Sequence, residues 1–492
     1  MSKETEDQRE SDFPESNRAS ENEDGDETVL VEDPILRKIA ECIASFALLD
    51  EIRMLLHEGV DINEPLVHGR RVIHYAVYHR HIDAMKLLLV RGANPSLMDD
   101  KGYSSMHIAA EIGFCNVIRV LLDYSCRVDF SKVLPGDIGY SYPLRASPAE
   151  EPLHLALKKG HYTAAELLLK NGANPNTEYP SGFEINFIDP LDLKGVELLL
   201  RYGAKPDARN QQGITLLMKA CRSPEGLKTA QTLIAYGADV NATTLEEQRT
   251  ALHCAVLSGN LSIVHLLVSN GARVKLPPSY TKPPPFFFAM LKSNYTMMKY
   301  LLDLGADINQ GSAVVGSALH VALTELVETK FNVIKFLLEN GANPNAVVTA
   351  SSGRTILKTP LGEYFTSFMN PDIRIVRIML KFGARIFLVG QRQHPLGILQ
   401  SLHHIDARNS GDVLELIASA AESFCISLID NSVLMSQRHK LVLLQKALAP
   451  FTLKHASRIA LRKTLGWGPK LIAAVNDLPI PVVLRHYLLF ED

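Results

Sequence analysis

The phrase Asn-Gly-Ala-Asn-Pro-Asn stands at Asn171 to Asn176 and again at Asn340 to Asn345, and looser copies punctuate most of the chain. Their glycines fall at Gly92, Gly172, Gly203, Gly237, Gly271, Gly305, Gly341 and Gly383, and from Gly203 to Gly305 the step is 34 residues each time. A fixed period of that size restricts the chain to a solenoid of stacked units, none of which buries its apolar face alone. Before each glycine runs an apolar stretch ending in Leu-Leu, as in Glu166 to Lys170. A glycine there suits the left-handed position that closes a helix.

A second phrase opens the next unit about ten residues on: Val72-Ile-His-Tyr-Ala76, Ser105-Met-His-Ile-Ala109, Pro152-Leu-His-Leu-Ala156, Ala251-Leu-His-Cys-Ala255 and Ala318-Leu-His-Val-Ala322. It resembles the Thr-Pro-Leu-His-x-Ala phrase of the ankyrin repeat, a turn followed by two antiparallel helices. Nine or ten units fit between about residues 36 and 390. Two are degenerate, near Gly59 and Gly203, the latter with Ile185-Asn-Phe in place of Leu-His. Ser125-Cys126 stands where Gly-Ala is expected, and extra residues around Ser131 to Leu144 belong on a loop. Pro277, Pro278 and Pro283 to Pro285 stiffen a further inter-repeat finger.

Composition excludes several classes. The whole chain carries a formal charge of −3, but residues 1–33 hold thirteen acidic against three basic side chains, which leaves a dispersed +7 for the rest. That pattern predicts a disordered acidic tail and no nucleic-acid footprint. No basic segment precedes an apolar one at the start and no run of about 20 apolar residues occurs, so the expected setting is cytoplasmic, with nuclear access, and away from membranes. Asn241, Asn260 and Asn294 open chance matches to the glycosylation pattern. The six cysteines show no CxxC pairing, which argues for reduced core thiols.

No catalytic motif is present and no cofactor or metal is expected. Gly311 to Ser317 has the glycine spacing of a phosphate loop without its Lys, and it opens a repeat. His74, His107, His154, His253 and His320 recur at one position of the unit, where they are expected to hydrogen-bond the turn and pack between repeats rather than hold a metal.

The language changes near the end. Thr452-Leu-Lys-His-Ala-Ser-Arg-Ile-Ala-Leu461, then Leu465-Gly, Leu478-Pro-Ile-Pro481 and Leu484-Arg-His-Tyr-Leu-Leu-Phe490 closely resemble a SOCS box. Leu453, Ser457, Leu461 and Leu465, four apart, share a slowly drifting helix face. Pro479 and Pro481 fix an extended segment expected to present Leu478 and Ile480. With the repeats, the box identifies the chain as similar to the ankyrin repeat and SOCS box family.

The resemblance implies an all-α fold, an ankyrin-repeat solenoid followed by a small helical SOCS box. The expected domains are the tail at 1–33, the repeats at 34–392, a degenerate helical cap at 393–448 and the box at 449–492. It also implies a non-catalytic substrate receptor of a ubiquitin ligase, with elongin B and elongin C, cullin-5 and its RING partner, and a target protein as partners. The elongin C contact falls on Leu453, Ser457, Leu461 and Leu465. The family usually has Cys at the position of Ser457, which bears on affinity. The cullin contact falls on Leu478, Pro479, Ile480 and Pro481. Residues following the Leu-His-x-Ala phrase, Tyr78, His79, Glu111, Ile112, Lys158, Lys159 and Arg222, are expected to meet the target. The other reading of the chain is an ankyrin scaffold without ligase activity.

Overall fold

The computed structural model describes residues 33–130, 150–276, 282–311, 315–324, 329–349, 355–406, 411–433 and 435–491. The acidic tail, the insertion after Ser131, Pro277 and Pro278, and the middle of the Gly311 to Ser317 segment lie outside them. The chain divides into two units, one comprising Met1–Ala109, Phe114–Arg127 and Lys132–Ala149, the other Ala110–Gly113, Val128–Ser131 and Glu150–Asp492.

Both units are built from antiparallel helix pairs. In the first, Pro34–Ala44 pairs with Leu49–Leu56 and Val72–Tyr78 with Ile82–Val90, and the leading helices pack on one another. In the second, the pairs Pro152–Lys158 with Tyr162–Lys170, Leu216–Arg222 with Leu227–Ala235, Ala251–Ser258 with Leu261–Ser269, Pro285–Leu291 with Tyr295–Asp303, Ala318–Thr324 with Lys330–Glu339 and Pro360–Ser367 with Ile373–Lys381 follow in order. From Leu216–Arg222 onward each leading helix packs on the next. The buried strip is Leu, Ile, Val, Met and Ala: Leu252 is 1% exposed, and Ala255, Ile263, Val264 and Leu267 are at or near zero. Among the described residues no helix is long and apolar enough to cross a membrane.

The eight phrase glycines all have φ between +87° and +98°. In each copy the glycine closes the helix as expected: Ala272 N–H reaches back to Leu267 O at 2.9 Å while Gly271 N–H donates to Val268 O at 3.0 Å. Where Ser125 replaces glycine, it is held at φ +56°, a conformation that costs a side chain more than it costs glycine.

The asparagine four residues after the glycine has a role that spacing alone does not reveal. Asn241 Nδ2 donates to Gly271 O at 2.9 Å while its Oδ1 accepts from Arg273 N–H at 2.9 Å, so one amide bridges to the next unit's turn. Asn63, Asn176, Asn309 and Asn345 repeat the pattern. An amide carries a donor and an acceptor side by side, which suits the repeated Asn to that bridge.

Among the described residues, three small strand pairs interrupt the helices. Glu178–Tyr179 pairs with Gly182–Phe183 and Val348–Thr349 with Thr355–Leu357, both antiparallel. Ile386–Leu388 pairs in parallel with Ala421–Phe424, which places Gly411–Ala420 after the last full pair. The cap region is therefore not purely helical, since it contributes the Ala421–Phe424 strand; the apolar Ile386–Leu388 run beside it, at the end of the repeats, is a fully buried strand, a pattern that short length makes hard to separate from a helix.

Candidate functional site: a C-terminal box and the ends of the leading helices

The recurring histidines serve the turns. Arg71, Ser104, Thr250 and Ser317 N–H groups donate to Nδ1 of His74, His107, His253 and His320 at 3.0–3.1 Å. Nδ1 as acceptor leaves the proton on Nε2, which His74 gives to Leu97 O at 3.1 Å and His320 to Lys358 O at 2.8 Å. Burial holds these imidazoles neutral: His74 and His107 are pushed down to about 3 and His253 to about 4. In the degenerate unit Asn186 does the same work, accepting from Phe183 N–H at 3.1 Å and donating to Ala208 O at 3.0 Å. His154 departs from the pattern. Its Nδ1 lies 3.1 Å from Glu184 Oε1, and Tyr179 O–H donates to the other oxygen of that buried carboxylate at 2.8 Å.

The seven residues expected to meet a target lie at the C-terminal ends of leading helices. Tyr78 ends Val72–Tyr78 with His79 as its cap; Glu111 and Ile112 end Ser105–Ile112; Lys158 and Lys159 close Pro152–Lys158; Arg222 ends Leu216–Arg222. Tyr78, Lys158, Lys159 and Arg222 are exposed, and the others are half-buried. Within the second unit Lys159 Nζ lies 3.8 Å from Glu111, and Lys158 Nζ donates to Glu150 at 2.9 Å, so these charges already have partners. The six cysteines are free, with Cys126 and Cys221 buried and the rest half-buried, so only two are core thiols in the strict sense.

The box is three helices, Leu453–Leu465, Pro469–Asp477 and Val482–Leu489. Thr452 caps the first, accepting from His455 N–H at 3.2 Å, and Pro469 begins the second at the position where a missing N–H costs nothing. The core is small: Leu471, Val475, Leu488 and Leu489, with Leu461, Leu465, Ile472, Leu478 and Ile480 packed against it. The four residues of the first helix face therefore divide. Leu453, 84% exposed, and Ser457 point away from the chain, while Leu461 and Leu465 are half-covered by the box itself. Leu478 and Ile480 also turn partly inward, so the exposed part of that segment is Pro479 and Pro481. The reason is alternation: in an extended stretch, neighbours face opposite ways, and the apolar pair takes the core side.

The sequence reading missed what fastens the box to the last repeats. Arg458 and Arg462 lie one position after Ser457 and Leu461, turned away from the Leu453 face. Arg462 Nη1 donates to Leu488 O at 2.6 Å and Nη2 to Leu380 O, and Arg458 Nη2 donates to Ser419 O. Arg377 Nη1 donates to Phe490 O at 3.1 Å, Gly468 N–H to Phe382 O at 2.8 Å, and His455 Nε2 lies 3.0 Å from Ala421 O. Gly383 passes so close that a Cβ there would sit 2.8 Å from that of Trp467. The available signal was the i, i+4 arginine pair, which on an exposed helix would be self-repelling.

Two family models match the chain: ankyrin repeats, in copies over residues 42–132, 89–179 and 191–278, and the SOCS box over residues 449–489. An ankyrin repeat protein of Acanthamoeba polyphaga mimivirus is 28% identical over 46% of the chain and 28% of its own length. The E3 ubiquitin-protein ligase KEG of Arabidopsis thaliana is 24% identical over 62% of the chain and 17% of its own length. The chain thus spans under a third of both, whereas it covers 78% of human ankyrin repeat and SOCS box protein 6, at 26% identity over 67% of this chain. With repeats, box and that relative in agreement, the chain belongs to the ankyrin repeat and SOCS box proteins.

Proposed function

We propose that the chain is the target-binding receptor of a cullin-RING ubiquitin ligase, docking on elongin B and elongin C through its box. The observation that carries this reading is the outward Leu453 and Ser457 on a helix whose opposite side is fastened to the last repeats. Leu453 would enter an apolar pocket of elongin C, gaining roughly 1.5–3 kcal/mol by burial, and small Ser457 would let the helices approach. Pro479 and Pro481, held extended and exposed, would meet cullin-5, whose RING partner brings the charged conjugating enzyme. The target would sit on the ends of the leading helices, near Tyr78, His79, Glu111, Ile112, Lys158, Lys159 and Arg222. The chain makes no covalent bond in this scheme. It raises the effective concentration of the target's lysines at the thioester, which requires rigid attachment of the box. The setting is the cytoplasm, with nuclear access.

The test is co-expression with elongin B and elongin C, wild type beside Leu453→Asp, followed by size exclusion and a cullin-5 binding assay. The expected result is a stable ternary complex that captures cullin-5 and is lost in Leu453→Asp, with the melting temperature of the isolated chain unchanged because Leu453 touches little. A chain that stays folded and alone in both forms would overturn the reading in favour of a scaffold.

A further inference from the structure

Successive repeats of the second unit leave one position of the leading element open. Phe187, Lys219, Cys254 and Phe288 each follow the pair that begins the element, Ile185-Asn186, Leu217-Met218, Leu252-His253 and Phe286-Phe287. Phe187 is 43% exposed and the others are half-buried, while the residues on either side of Lys219 and of Cys254 are buried. Contacts run along this row: Lys219 Nζ donates to Asn186 O at 2.5 Å, the Phe288 ring stands edge-on to His253 at 6.0 Å, and the Arg249 guanidinium lies 5.4 Å from the centre of the Phe288 ring. The helices Leu216–Arg222, Ala251–Ser258 and Pro285–Leu291 contain no Asp or Glu. Arg222 is exposed, and its guanidinium makes no hydrogen bond or ion pair among the described residues. Burial pushes the Cys254 thiol up while Arg249 and Arg222 pull it back, so both cations converge on the middle of the row. Of the acidic residues on the adjoining loops, Glu247 pairs with Arg249 at 2.6 Å, and among the described residues Glu225 and Glu246 pair with neither arginine.

We infer that this row docks an acidic segment of the target, one that carries carboxylates beside an apolar side chain. The inference rests on the receptor reading and adds to it the chemistry of the target. Arg222 takes a carboxylate in a fork. Arg249 exchanges Glu247 for another, because that pair is open to solvent, with the side chains 40% and 56% exposed, and such pairs contribute little. Phe187 and Phe288, at the ends of the row, hold the apolar part, and the water they exclude would otherwise weaken the charge contacts. A basic segment is rejected, since it meets Lys219, Arg222 and Arg249 on helices without a carboxylate.

Selection of random phage-displayed peptides on the full chain, followed by fluorescence polarisation of those selected, tests it. The expected peptides are rich in Asp and Glu beside Leu, Phe or Trp, and their affinity falls several-fold as salt rises. They bind about tenfold more weakly to Arg222→Glu, and lose less to Arg222→Lys, which keeps the charge without the fork. Arg222 is exposed, so both variants keep the melting temperature of the chain. Selected peptides without the acidic bias, binding indifferent to Arg222→Glu, or no selected peptide would overturn the assignment. Acidic peptides bound by a chain that fails to capture elongin B and elongin C would support this surface and remove the receptor reading, so the two failures are told apart.

Discussion

The Ala251–Ser258 helix and the Leu453–Leu465 helix show what separates the two parts of the molecule. The first, eight residues long, buries five of them between neighbouring leading helices. The second, thirteen residues long, buries only Arg458 and leaves Leu453 almost wholly in solvent. A helix inside the stack is covered on two sides by the same kind of helix, so its burial is complete within the chain. The box helix has its own chain on one side only, and its other face stays open to solvent.

Acid should break the comparison most strongly, on the side of the repeats. His74 and His107 titrate near 3 and His253 near 4 when folded, against an ordinary 6.5. Below 6.5 the unfolded chain takes up protons that the folded chain refuses, so stability is full above that pH and falls as pH drops toward 3–4. Each histidine costs about 1.4 kcal/mol per pH unit once well below 6.5. Urea unfolding followed between pH 7 and 5 should lose several kcal/mol. Replacing His253 by Asn, whose amide reproduces the pair of hydrogen bonds as Asn186 does, should flatten that slope by one histidine's share. A stability independent of pH over this window would contradict the buried neutral assignment.

A smaller effect separates the two helices directly. Leu252→Ala removes a side chain 1% exposed and should cost about 2–5 kcal/mol, while Leu453→Ala in the isolated chain should stay within about 0.5 kcal/mol. Chemical denaturation of the pair measures the contrast. Equal losses would mean that the box face is covered within the chain and offers nothing to a partner.

The parts of the molecule visible in the sequence were those fixed by local backbone demands and by periodicity. The phrase glycines adopt the left-handed conformation that their recurrence implied, and the Leu-His-x-Ala phrases begin the leading helices. What spacing could not show depended on partners distant in sequence. A face drawn through Leu453, Ser457, Leu461 and Leu465 cannot tell which residues the box keeps for itself, because that is decided by Leu471, Val475 and Leu488 on other helices. Proline placement predicted the extended Leu478 to Pro481 segment but not its rotation, which turns the prolines outward. His154 matched the repeat phrase and yet faces Glu184, whose burial beneath the Glu178–Phe183 hairpin no local pattern announces.

The smallest effect concerns Ser457, exposed one turn from Leu453 on the proposed elongin face. Ser457→Cys should leave the melting temperature of the isolated chain unchanged, since the side chain is in solvent. Within the complex a hydroxyl buried against an apolar partner loses its water, at about 0.5–2 kcal/mol, whereas a thiol of nearly the same shape loses much less. The variant should therefore bind elongin B and elongin C several-fold more tightly, chiefly through slower dissociation measured by surface plasmon resonance. Weaker binding would show that the Ser457 hydroxyl finds a hydrogen-bond partner across the interface. Identical binding would place the contact on Leu453 and the rim of the helix, and would shift the basis of recognition from close helix approach to a single anchored side chain.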